Sequence, residues 1–374
     1  MNRKRTNIFL LVFGLILTAA FAFLTYPKAE AQTNPQSVRP NATPTPKTNA
    51  SPAVSPTIEE DPEVIRVKTE LVNLNVRIVD RNNRPIGNVA QREVKIYEDN
   101  VLQTIDGFTK AEVPTNYALV IDNSGSLRHQ LEKVIDASKV IVNTNRPGDE
   151  TSVVRFVSSD KIEVVQDFTT NKADVNEALD NLFIEGGQTA IIDAVYLAAE
   201  KVDTYEKTRN PNEKKRRALI LVSDGEDRDS YYNEQQLFEL LREADVQIYA
   251  IGFTTDLSKD GGFITKSPKA KSEAFLKRLA EETGGKAYFP QAIGELDTIA
   301  RDIASELRTQ YLISYYPTND ETDGRFRNIR VVVDDGPNKQ KRIAITRTGR
   351  TAVTEEPGSK PTLQTTNQSK PNNK

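Results

Sequence analysis

Hydrophobic and polar positions alternate along residues 64–110, give way to a second pattern, and alternate again near the C-terminus. In the first stretch Val67, Leu71, Val72, Leu74, Val76 and Ile78 predict one long strand or two short ones, and residues 81–85 mark a turn. Residues 94–98 and 102–108 flank Asp99-Asn100 as a predicted hairpin. From 116 to 309 short apolar runs take turns with segments of helical spacing. Strands are predicted at 117–122, 151–157, 162–165, 218–223, 246–253 and 286–289, and helices at about 127–144, 172–183, 190–206, 233–243, 271–283 and 293–309. That alternation predicts an α/β domain with a doubly wound, mostly parallel sheet. The third strand follows the second after a short turn, so it is expected as an antiparallel edge strand. Alternation resumes at 310–316, 326–333 and 342–347, with turns at Asp323-Gly324 and Asp335-Gly336-Pro337. The economical arrangement joins these strands to those of 64–110 in one β-sandwich, with the α/β domain inserted into it.

The two ends follow other rules. Arg3, Lys4 and Arg5 precede an apolar stretch from Ile8 to Leu24, and Ala29-Glu30-Ala31 fits a small-x-small cleavage site before Gln32. Residues 1–31 therefore read as an export signal or, because the apolar stretch is long, as an uncleaved anchor through residues 8–26. Either reading sends the rest of the chain to the periplasm or outside the cell. Residues 32–60 are rich in Pro, Thr, Asn and Ser and lack the apolar surface to fold, which predicts a linker; 350–374 repeat that composition as a tail. The expected organisation is thus a β segment at 61–114, the α/β domain at 115–309 and a β segment at 310–349.

Composition narrows the chemistry. The 374 residues carry 50 Lys+Arg against 53 Asp+Glu, a net charge of −3 that gives no reason to expect nucleic acid. There is no Cys and a single His, which excludes thiol nucleophiles, disulfides, thiolate zinc sites and multi-histidine centres. A Ser-His-Asp triad would have to use His129, placed early in a helix where a solvent-facing or capping role is the ordinary one.

What remains is a set of hard oxygen donors at strand and helix ends. Asp122-Asn123-Ser124-Gly125-Ser126 follows the apolar run 117–121, at the strand-to-helix handover where open α/β sheets bind ligands. One carboxylate and two hydroxyls at alternate positions suit Mg²⁺ or another small divalent cation, and Gly125 is expected to permit a tight turn between them. Gly186-Gly187-Gln188-Thr189 opens another helix, and the run 218–223 ends in Asp224-Gly225. Alone, each residue would pass for a cap or turn residue. Together, Asp122, Ser124, Ser126, Thr189 and Asp224 resemble the metal-ion-dependent adhesion site of von Willebrand factor type A (VWA) domains, with every position of the pattern filled. The order of segments over 64–350 is also similar to an exported bacterial family of VWA-related proteins with β segments on both sides.

The resemblance implies that Ser124, Ser126 and Thr189 bind the metal directly while Asp122 and Asp224 act through water. A cation with few anionic ligands stays electron-poor and keeps a position open for a partner's carboxylate. The N-terminus of the following helix would favour the same charge. The implied function is an exported, metal-dependent protein-binding module, not an enzyme, that uses Mg²⁺ (or Mn²⁺ or Ca²⁺) to bridge to an acidic side chain. Two alternatives stand beside it: metal-assisted hydrolysis helped by Glu226, Asp227 and Asp229, and a metal that only stabilises the fold. The acidic loop reads first as a solvated turn. Asp193 has either a backbone-binding or a surface role, Tyr231-Tyr232 either loop packing or ligand contact, and Tyr315-Tyr316-Pro317 sandwich packing. Lys214-Lys215-Arg216-Arg217 reads as solvated, and Gly284-Gly285 as a helix C-cap.

Overall fold

In the computed structural model, which describes residues 71–110, 113–209, 215–258, 260, 266–352 and 364–365, the first alternating stretch forms four strands. These are β1 (Val72–Val79), β2 (Val94–Glu98), β3 (Val101–Gln103) and β4 (Ile105–Thr109). The α/β part follows as β5 (Thr115–Asp122), α1 (Leu131–Asn143), β6 (Glu150–Phe156), β7 (Ile162–Thr169), α2 (Lys172–Asp180) and α3 (Ile191–Arg209). It continues with β8 (Arg216–Ser223), α4 (Glu234–Glu243), β9 (Gln247–Gly252), α5 (Pro268–Thr283), β10 (Lys286–Tyr288) and α6 (Leu296–Glu306). The C-terminal strands are β11 (Tyr311–Tyr315), β12 (Phe326–Val333), β13 (Ile343–Ile345), β14 (Gly349–Thr351) and β15 (Gln364–Thr365). The export segment 1–31, the linker, Val67 and most of the tail lie outside the described residues. Among the described residues no helix is long and apolar enough to cross a membrane.

Strands from both flanks of the α/β part share two sheets, ordered β13-β1-β11-β4 and β14-β12-β2-β3. The registers tie the flanks together: Val76 opposes Tyr311, and Ile96 opposes Val331. Leu74, Ile78, Ile96, Tyr311 and Tyr315 fill the space between the sheets, so neither flank can bury its apolar face without the other.

The predicted strand 102–108 is two strands. Asp99 and Asn100 both take positive φ, as a tight hairpin turn requires, and β3 returns along β2. At Thr104 the chain crosses to the opposite sheet, where β4 pairs with β11 and Phe108 packs on the core. The tail was expected to start at 350. Instead β14 pairs with β12, Arg350 is buried against Glu98, and order runs on through Ala352.

The larger sheet has the order β10-β9-β8-β5-β6-β7-β15 and is parallel except between β6 and β7. β5 alternates between two cores, Ala118 and Val120 facing one and Tyr117, Leu119 and Ile121 the other. Burial on both faces explains why it reads as an unbroken apolar run. β7 is antiparallel as expected but is not the edge, because Gln364–Thr365 pairs with Glu163 and Val164. An open row of backbone donors and acceptors is thereby covered by part of the tail.

Two helices start later than their periodicity suggests: 3-10 turns at Gly125–Leu127 and Ile293–Glu295 precede α1 and α6. α5 starts earlier, at Pro268, because Ser267 caps it by accepting from Ala270 N at 3.2 Å. It ends where expected, with Gly284 at φ 78 closing the C-cap. Of the basic run, Lys214 lies outside the described residues, and Arg216 and Arg217 are not a solvated entry but the start of β8. Arg216 is buried, and its guanidinium donates to the carbonyls of Leu307 and Gln310 past the end of α6. Those carbonyls have no partner within the helix, so a cation is favourable there.

Candidate metal centre

β5 and β8 are adjacent and parallel, with Ile121 opposite Val222, so their C-terminal ends deliver Asp122, Ser223 and Asp224 to one place. Asp122 is fully buried; its Oδ1 accepts from Ser124 N and its Oδ2 from Ser223 Oγ, both at 2.8 Å. The Oγ atoms of Ser124 and Ser126 lie 2.8 Å apart, and the Ser126 hydroxyl in turn bonds the Asp224 carboxylate. A continuous run of hydrogen bonds therefore links Ser223, Asp122, Ser124, Ser126 and Asp224. Ser124 and Asp224 are buried, whereas Ser126 is exposed, so water and solutes reach the set from that side.

Thr189 is not hydrogen-bonded to the other four. Its backbone is tied to the strand ends on both sides: its carbonyl accepts from Arg228 N in the loop after β8, and Ala190 N donates to Val157 O just past β6. Asn123 anchors the loop between α2 and Thr189, donating from Nδ2 to Phe183 O at 2.6 Å and accepting at its backbone carbonyl from Glu185 N.

The electrostatics fit a cation. Burial, with the Asp224 charge adding to it, pushes the Asp122 carboxyl up to about 6 against hydrogen bonds that pull it down. Burial likewise raises Asp224. Two desolvated carboxylates beside convergent hydroxyls form a donor set short of positive charge. Among the described residues no group of three or more His, Cys, Asp or Glu could hold a metal ion. Hydroxyl oxygens supply the remaining donors here, and hard oxygens of this kind suit Mg²⁺ and its relatives. These residues fit the ion; Ser124, Ser126 and Thr189 would touch it, with Asp122 and Asp224 behind them.

Two expectations about this loop fail. Gly125 has no positive φ, and a Cβ built on it meets nothing within 4 Å. The glycine that the backbone does require is Gly187, at φ 113, where a Cβ would lie 2.8 Å from Val157 Cγ1. Gly125→Ala should therefore leave Mg²⁺ affinity within about twofold, whereas Gly187→Ala should lower thermal stability by about 1–2 kcal/mol. Parallel calorimetry and melting curves on both variants check this. The helix N-terminus is also displaced: α1 begins at Leu131, so Ser126 sits in a 3-10 turn and not at the mouth of the helix dipole.

Around the centre the other candidates divide. His129 is exposed. Asp193 accepts from the backbone N–H groups of Tyr231 and Tyr232 and from Ser159 Oγ, which makes it a brace for the loop after β8. Tyr232 stacks on Tyr196 at 3.8 Å, while Tyr231 is 74% exposed. Tyr315 packs in the sandwich and donates to Glu98; Tyr316 is exposed.

Ser223 is the residue that the motif overlooks. Its hydroxyl joins Asp122 to Gly225 N, and its only mark in the sequence is its place just before Asp224. Ser223→Ala leaves one carboxylate oxygen of Asp122 without that donor and should weaken Mg²⁺ binding about 10- to 100-fold, as loss of a supporting group typically does. An unchanged calorimetric isotherm would rule that role out.

Residues 116–302 match the von Willebrand factor type A domain. The uncharacterized protein sll0103 of Synechocystis sp. is 28% identical over 156 residues, 41% of this chain and 34% of that protein, so the chain spans about a third of the length of that curated relative. An aerotolerance-related membrane protein from Bacteroides fragilis superposes with a TM-score of 0.40 at 18% identity, covering 52% of this chain and 98% of its own. Proximal thread matrix protein 1 from the mussel byssus, in a structure with a zinc-occupied MIDAS motif, superposes with a TM-score of 0.41 at 19% identity, covering 53% and 49%.

Proposed function

The chain belongs to the von Willebrand factor type A domain family, and on that footing we propose that it is an exported module whose bound divalent cation captures an acidic side chain of a protein partner. VWA domains commonly mediate metal-dependent protein interaction, often through a divalent ion, and are typically not enzymes. For this chain the carrying observation is the hydrogen-bonded run from Ser223 through Asp122, Ser124 and Ser126 to Asp224, buried at its carboxylates and open at Ser126. Mg²⁺ or Mn²⁺ held there by hydroxyls would retain its electrophilicity and accept one more oxygen from outside. Export follows from the basic and apolar pattern of residues 1–31.

The acidic loop after β8 supports binding over hydrolysis. Glu226 is ion-paired with Arg228, Asp227 accepts from Ile192 N and Ser230 Oγ, and Asp229 accepts from Ser159 N. A general base must be free to take a proton from an attacking water, and each of these carboxylates is instead engaged in bracing the loop.

Calorimetric titration of the full chain with Mg²⁺ and Mn²⁺, beside a Ser124→Ala/Ser126→Ala variant, tests the site. Saturable binding by the wild type alone is the expected result. No binding by the wild type, or equal binding by the variant, would overturn the assignment.

A further inference from the structure

We propose that the cavity next to Asp224 is a socket for one large apolar side chain of the partner, so that the surface reads an acidic residue together with an apolar one at a fixed spacing. This rests on the reading above, in which the metal takes the partner's carboxylate.

The cavity holds about 280 Å³ and has an apolar floor made by Ile192 at the start of α3, Gly225, and Pro268 and Phe275 of α5. That volume lies at the lower edge of the about 300–1,000 Å³ typical of separate small-ligand sites and is roomy enough for one aromatic or long aliphatic side chain. The cavity adjoins the metal centre along the chain. Gly225 follows Asp224 directly, and Glu226 N donates to Asp224 Oδ1 at 3.0 Å, so one turn of backbone supplies both a metal-facing carboxylate and the socket wall.

That wall is fixed in shape. Gly225 has φ 81, and a Cβ there would fall 2.9 Å from Leu276 Cδ1 and 3.1 Å from Ser272 Cβ, so the bare backbone packs directly on α5. A preformed wall lowers the ordering cost of filling the cavity.

The charges at the rim do not call for a charged occupant. Glu226 is paired with Arg228, Glu234 with Arg278, and Asp227 accepts from Ile192 N and Ser230 Oγ. Lys271 adds one charge at an exposed position of α5, where water still solvates it. A charged side chain entering the socket would trade its hydration for Lys271, which water already solvates, or Asp227, which already accepts from Ile192 N and Ser230 Oγ, whereas an aliphatic or aromatic one gains by leaving water.

The test is a phage-displayed peptide library with a fixed central Asp, selected on the full chain in Mg²⁺ and eluted with EDTA. Eluted peptides are expected to share a large aliphatic or aromatic residue at one spacing from the Asp. Lys271→Trp, which covers the mouth from an exposed helix position, should weaken their capture about 10- to 100-fold, the loss expected for one unburied apolar side chain, with Mg²⁺ affinity unchanged. Phe275→Ala, which deepens the floor, should shift selection toward larger aromatic residues. Metal-dependent peptides without an apolar preference, or with one that Lys271→Trp leaves intact, would overturn the socket and leave the metal site standing. Peptides that bind equally in EDTA, or no eluted peptides, would overturn the metal reading and the socket with it.

Discussion

Replacing Asp122 with Asn should abolish Mg²⁺ binding and at the same time make the metal-free protein more stable. The side chain is fully buried, and its two oxygens accept from Ser124 N and Ser223 Oγ. An Asn can keep the first bond through its own oxygen and donate to Ser223 through its amide, so the shape of the site survives. The charge does not. Burial holds the folded carboxyl at about 6, above the ordinary value of 3.8 that it regains on unfolding. The folded state therefore binds more protons between those values. The ionised form costs stability above pH 6, and that cost is relieved as pH falls toward 4. The difference corresponds to at most about 3 kcal/mol. In EDTA, urea denaturation on the alkaline side of pH 6 should show Asp122→Asn more stable than wild type, with the gap closing on the acid side. A variant that still binds Mg²⁺, or one that is less stable without metal, would show that the carboxylate serves the fold and not the ion.

The second large effect lies far from that loop. Arg77→Met should destabilise the protein by about 3–5 kcal/mol, the usual cost of removing one partner from a buried ion pair. Arg77 on β1 donates to Glu306 at the end of α6 at 2.5 Å and to the Gly285 carbonyl at 2.9 Å, and both charged side chains are almost fully enclosed. The contact joins the sandwich to the α/β domain. Without Arg77 the Gly285 carbonyl loses this donor and Glu306 keeps Lys286 alone, at 3.1 Å. Arg77→Met combined with Glu306→Met should recover much of the loss, because no uncompensated charge then remains buried. Urea unfolding of the three variants gives the coupling directly; equal losses in the single and double variants would refute a pairwise role.

How legible these features were in the sequence differs from residue to residue. Asp122, Ser124, Ser126, Thr189 and Asp224 could be listed from local context alone, because a strand end followed by a helix exposes its loop whatever the rest of the fold does. That four of them join one hydrogen-bonded run depends on β5 and β8 being neighbours, a pairing that nothing local in the sequence records.

 β5 and β8 are separated in the chain by two strands and three helices, and only their pairing brings their ends together. Ser223 was hidden for that reason: its role exists only once β8 lies against β5 and its hydroxyl reaches Asp122. Gly125 misled in the opposite direction. Its position in the loop suggested a tight turn, but the strained glycines proved to be Gly187 and Gly225, where the neighbours Val157 and Leu276 come from distant segments.

Arg77 makes the same point for the fold. In β1 it alternates with Val76 and Ile78, the pattern of a strand with one wet face, yet Asn75 and Arg77 are each only 5% exposed. The nominally polar face packs against the α/β domain, and Arg77 is satisfied there by Glu306 and Gly285. Arg216 repeats the pattern, a basic residue drawn inside by carbonyls beyond the end of α6.

By itself, the sequence determined the element types, the α/β class and the residues able to ligate a cation, because strand and helix periodicities and donor chemistry are properties of short segments. Tertiary structure alone decided which strands share a sheet, which polar residues are buried, and which hydroxyl supports which carboxylate. Those outcomes depend on contacts between segments far apart in the chain, and a buried polar group takes its partner from whatever the packing brings within hydrogen-bond reach.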